Sequence, residues 1–236
     1  LLPTLAAFLR QHGYSETHSE ESYEHIEPWI QWVSIHTGVP FAQHKVFRLG
    51  DIVDRKLDQI WESLEKEKGI KVGAMTPMNA ENRLRGGAFF FPDPWTETTV
   101  SGPRILSTLR QPIVQAVRDN AQDRIKLASK VVLAAGFLAC ARRESLATYA
   151  HCFRESFKRR WFKVMFLDRL LADMFIRLWE KTRPDFASLF LNAGAHIQHH
   201  YLFNSKAYAG PSRNPSWYIP PQEDPVLDVF RLYDRI

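Results

Sequence analysis

RKLDQIWESLEKEKGIKVGAM, residues 55–75, decides the fold class. Its first part, 55–68, repeats Leu57, Ile60, Trp61 and Leu64 at helical spacing, and Gly69 closes the helix. The apolar run IKVGAM (70–75) follows at once and has the length of a short strand. AFFFPDP (88–94) is a second strand or buried loop, stopped by two prolines. Strand alternating with helix in this way predicts α/β architecture.

Towards the N-terminus, residues 1–12 read as a helix ending at Gly13, and a stretch rich in hydroxyls and acids covers 14–24. IEPWIQWVSIHTG (26–38) places Pro28 in the first turn of a helix and Gly38 at its end, with Ile30, Val33 and Thr37 at helical spacing. From Arg104 to Lys181 there is one glycine, Gly136, and one proline, Pro112. Leu127, Val131, Ala134 and Leu138 form one apolar stripe, and Phe162, Phe166, Leu170 and Met174 another, so two or three long helices are predicted. Within an α/β chain this block, 103–182, reads as an inserted helical cap between two core segments, 1–102 and 183–236. DFASLFLN (185–192) then reads as a buried strand, 204–222 as a loop and DPVLDVFRLYDRI as a last amphipathic helix.

The net charge of +5 is unevenly placed, since residues 103–182 hold 16 Lys and Arg against 7 Asp and Glu. A basic block beside a mildly acidic remainder predicts an anionic small-molecule partner or a solvated helix face. FRESFKRRWF (153–162) reads as a cap face that packs its aromatics and solvates its bases, with no nucleic acid expected. No stretch reaches the ~18 apolar residues of a membrane span. Cys140 and Cys152 cannot supply a disulfide framework, which leaves the compartment open with a lean to the cytoplasm.

Three histidines cluster in NAGAHIQHHY (192–201): His196, His199 and His200. They lie just past a predicted strand end, where sites of open α/β sheets gather, and pairs at i, i+3 and i, i+4 share a helix face as metal ligands do. Neutral imidazole suits zinc, iron or manganese, although a polar helix start uses the same residues for backbone hydrogen bonds. Residues 27–37 add Glu27, Trp29, Gln31, Trp32, Ser34, His36 and Thr37, of which the two tryptophans fit a core. There is no Gly-rich phosphate loop, GxSxG elbow or HExxH helix.

WVSIHTGVPFAQHKVF resembles a stretch of the type I phosphodiesterase/nucleotide pyrophosphatase-like proteins of the alkaline phosphatase superfamily, through Trp32, Ser34, Thr37, Gly38, His44, Val46 and Phe47. KLDQIWESLEKEKGIKVGAM, FFFPDP, RPDFASLFLNAGAHIQHHYL and DPVLDVFRLYDRI resemble later segments of that family, in order, over residues 24–100 and 184–236. The resemblance implies a central, mostly parallel sheet between helices. It also implies a two-metal site, usually zinc, at which a Thr or Ser attacks phosphorus or sulfur. It makes His199, through the Gln198-His199 pair, the first metal ligand, with His196 and His200 assisting. Ala195 falls on the family's aspartate, and a second register puts Asn192 and His196 at the Asp and His positions. Pro28, with Glu27 beside it, falls on the nucleophile, and the remaining flanking ligands would lie outside these 236 residues. Glu27 and His36 are the catalytic candidates, and Trp29, Gln31, Arg159 and Arg160 the substrate-binding ones. The implied activity is divalent-metal-dependent hydrolysis of phosphate or sulfate esters, with zinc or manganese. A binding or scaffold protein that keeps the fold without the nucleophile is the alternative.

Overall fold

Three short parallel strands, β1 (Val72–Met75), β2 (Phe89–Phe91) and β3 (Phe186–Leu189), pair in the order β2-β1-β3. The central strand is buried along its whole length. Gly73 belongs there because a Cβ would come within 2.5 Å of the ring of fully buried Phe89, its partner in the register. β3, at the sheet edge, is half-buried throughout, which corrects the expectation of a buried strand over 185–192. The computed structural model describes residues 1–19, 22–118 and 125–236. The fold is mixed α/β and 54% helical, and its small open sheet is the coarse architecture that the strand and helix alternation predicts.

The helices are α1 (Pro3–His12), α2 (Pro28–Thr37), α3 (Phe41–His44), α4 (Ile60–Lys68), α5 (Arg104–Arg118), α6 (Leu127–Cys140), α7 (Leu146–Ser156), α8 (Trp161–Thr182), α9 (Ala193–Tyr201) and α10 (Pro225–Tyr233). Two compact units divide them. A helical unit comprises Leu1–Glu16, Ala141–Asp173 and Leu191–Ile236, and a sheet unit comprises Thr17–Cys140 and Met174–Phe190. The block 103–182 is thus shared between the two units, with α5 and α6 in the sheet unit and α7 in the helical one. Among the described residues no helix is long and apolar enough to cross a membrane.

In the sheet unit, Trp61 of α4 packs with Val72, Ala74, Ala80 and Phe90. α4 begins later than 55 because Gln59 and Glu62 form a reciprocal capping box at its N-terminus. Ile60 stays exposed outside the apolar face, and Leu57 packs instead with Val33, Val46 and Ile52. α6 reverses its predicted orientation. Leu127, Val131, Ala134 and Leu138 are exposed, whereas Gly136 and Cys140 are buried. The reason is close approach: α6 packs on α5, and a Cβ at Gly136 would collide with Leu109.

In the helical unit, Trp161, Phe162 and Met165 of α8 pack with Ala193, Ile197, Val226, Val229 and Leu232. The predicted α8 stripe holds, with Phe162, Leu170 and Met174 buried and Phe166 half-buried. α10 starts where Asp224 accepts a hydrogen bond from the Leu227 N–H, with Pro225 in the first turn.

Candidate functional site

The N-terminus of α9 is set by a buried carboxylate. Asp168 of α8 accepts from the Ala193 N–H (2.8 Å) and from the Tyr233 hydroxyl (2.7 Å), while Tyr233 Oη accepts from the Gly194 N–H (2.8 Å). Backbone donors at a helix start favour negative charge, but burial dominates and pushes the Asp168 carboxyl up to about 6. Burial and then the adjoining Asp168 charge raise the Tyr233 phenol above its ordinary value. This network orients α9 and with it the histidines.

Along α9 the imidazoles that meet are His196 and His200, with ring centroids 5.0 Å apart. Their i, i+4 spacing sets them one turn apart on an exposed face, with the rings edge-on to each other. Burial and the neighbouring imidazoles of His200 and His199 lower the His196 pKa. Asn192 occupies the N-cap position, and its carbonyl accepts from the His196 N–H (3.0 Å). His199 is exposed on the last turn. Among the described residues, no group of three or more His, Cys, Asp or Glu side chains is placed to hold a metal ion. Two imidazoles fall one short of the three protein ligands that an open catalytic zinc site generally keeps.

Tyr201 ends α9 and opens a groove of about 420 Å³, within the range of small-ligand sites. Lys158, Arg159, Arg160, Trp161 and Tyr218 line it as well, so the structure brings both predicted arginines to one cavity. Their roles differ. Arg159 donates to Glu223 (2.7 Å and 3.1 Å) and to Glu155 (3.2 Å), and the Glu223 hydrogen bond leads the rise of its pKa above the usual guanidinium value. Lys158 and Arg160 are the exposed cations of the lining. The Tyr201 ring stacks on Tyr218 at 5.6 Å and tilts against Trp161 at 5.3 Å. Burial and Tyr218 raise its phenol pKa, with Arg160 pulling the other way. Three cations against two carboxylates, beside aromatic surface, suit an anion with an apolar body.

Three of the four predicted residues of the sheet unit, His36, Trp29 and Gln31, have structural partners. His36 is buried against Trp61 (4.7 Å) and stacked on Trp32 (5.5 Å), and its Nε2–H donates to the Met78 carbonyl (3.2 Å). Burial pushes its pKa down to about 4, so at neutral pH it is an uncharged core imidazole. Trp29 Nε1–H donates to the Phe47 carbonyl and Gln31 Nε2–H to the His25 carbonyl. Glu27 is exposed at the N-cap position of α2. Two further groupings were not drawn from the sequence, although Ser34 and His44 were each named in it. Ser34 Oγ lies 3.1 Å from His44 Nε2, but His44 Nδ1 accepts from the Val46 N–H, so Nε2 carries the proton and faces the hydroxyl as a donor. That tautomer cannot take a proton from Ser34. The second group is Lys158, Tyr201 and Tyr218 around the groove. Its aromatic and basic residues were visible in the sequence, but 40 residues and more separate Lys158 from its two tyrosine neighbours.

Comparison with protein-family models, curated proteins and solved structures finds no match to this chain.

Proposed function

We propose that this chain binds phosphate or sulfate esters and hydrolyses them with a divalent metal, zinc or manganese, in the manner of the alkaline phosphatase superfamily that its motifs resemble. The observation that carries the reading is the groove. Lys158 and Arg160 stand beside Tyr201, the last residue of the helix that bears the His196–His200 pair. An ester anion would be held by the two cations, with its organic group against the Tyr201 and Tyr218 rings. The two imidazoles are fewer ligands than catalytic zinc generally keeps, so the pair by itself fits only a weakly held ion.

A second reading, recognition of the ester without hydrolysis, draws on that short ligand set and on Pro28 at the position of the nucleophile. The test is turnover of an aryl phosphodiester and an aryl sulfate with added Zn²⁺ or Mn²⁺, beside direct binding of each. Metal-dependent turnover lost in His196→Ala and His200→Ala supports hydrolysis. Binding without turnover supports recognition alone. Absence of binding contradicts both.

A further inference from the structure

The basic and aromatic segment 153–162 departs from the sequence expectation, because two of its aromatics do not pack. Phe153 is 62% and Phe157 76% exposed, and their rings meet edge to face at 5.1 Å. Leu146, 51% exposed, and Ala150 continue the line at helical spacing, while Tyr149 and Cys152 bury the opposite face of α7. The stripe runs roughly 16 Å at ~1.5 Å per residue. Arg143, Arg154 and Lys158 flank it, all exposed. The nearby acids are already paired: Glu144 with Arg142, and Glu155 with Arg159 and Arg154.

We propose that this face of α7 is a docking surface for an anionic phospholipid membrane, with Phe153 and Phe157 entering the headgroup boundary. Lines of Leu and Phe flanked by Lys and Arg are what an interfacial helix requires, and Arg143 and Lys158, with Arg154 shared with Glu155, are complementary to anionic headgroups. A convex helix face suits a planar lipid surface. Lys158 also lines the groove, whereas Phe153, Phe157, Arg143 and Arg154 do not, so loss of ester binding leaves the membrane inference standing.

The experiment is co-sedimentation of the full chain with vesicles of phosphatidylcholine alone, or with about a third phosphatidylserine. Binding to the mixed vesicles is expected to exceed binding to phosphatidylcholine by about tenfold or more. It should weaken between about 0.1 M and 1 M salt as the screening length falls from ~10 Å to ~3 Å. Phe153→Ser with Phe157→Ser, both exposed positions, is expected to lower the partition about tenfold. Arg143→Glu with Arg154→Glu should lower it by roughly fivefold or more for each charge reversed. Circular dichroism confirms that both double variants fold, and either one alone tests the surface. Equal binding to neutral vesicles, no binding to anionic ones, or full retention in the Phe variant would overturn the proposal. So would capture by a single-stranded oligonucleotide with no vesicle binding.

Discussion

Buried at 2% exposure, Asp168 ionises only near pH 6, whereas His36, at 7%, gains its proton only near pH 4. The folded state holds the Asp168 proton more tightly than the unfolded chain does. This group therefore makes stability fall as pH rises from about 4 to 6. For His36 the unfolded chain binds the proton more tightly, so stability rises as pH goes from about 4 to 6.5. Displacements of this size correspond to on the order of 3 kcal/mol each, and in wild type they oppose one another. Urea titrations across pH 4–7 are expected to show Asp168→Asn with a steeper rise of stability with pH than wild type. His36→Gln should show the reverse tilt, and parallel curves would contradict both burial assignments. Asp168→Ala leaves the Ala193 N–H and the Tyr233 hydroxyl without their acceptor, and is expected to cost about 1–3 kcal/mol at pH 7.

The elements were legible where a local signal acts alone. Pro28 and Gly38 bound α2, Gly69 ends α4, and Asp224 with Pro225 starts α10, because caps and breakers act through adjacent backbone. What α6 packs against was not legible, since its apolar stripe and its glycine offer two opposite faces and only Leu109 decides between them. The strand state of 72–75 was readable and that of 89–91 was left between strand and buried loop, while the edge position of β3 depends on a pairing that spans more than a hundred residues. For the candidate site, the imidazole cluster could be seen, while the His196–His200 pairing and the groove needed the fold. Three outcomes follow at this scale, each read by chemical denaturation. Gly73→Ala is expected to cost about 1–3 kcal/mol, because the buried Phe89 ring has no room to yield. Asp224→Ala is expected to cost about 1 kcal/mol through loss of the α10 cap. Leu127→Gln, Val131→Lys and Leu138→Gln are each expected to stay within about 0.5 kcal/mol of wild type, and a loss of several would show that this face is packed.

For the molecule as a whole, the uneven charge acquires a location. The base-rich block 103–182 is divided between the two units. Within the helical unit, Arg159 is held by Glu155 and Glu223, whereas Lys158 and Arg160 line the groove with Tyr201 and Tyr218. The proposed ester recognition therefore rests on two cations and two rings, and among the described residues no group of three or more His, Cys, Asp or Glu side chains is placed to hold a metal ion. Titration calorimetry of phenyl phosphate into metal-free protein tests that claim most directly. Saturable binding is expected, weakened by about ten- to a hundredfold in Arg160→Ala, the loss expected when a charge-assisted hydrogen bond of about 1.5–3 kcal/mol is removed. An absence of binding, or an affinity unchanged by Arg160→Ala, would contradict it.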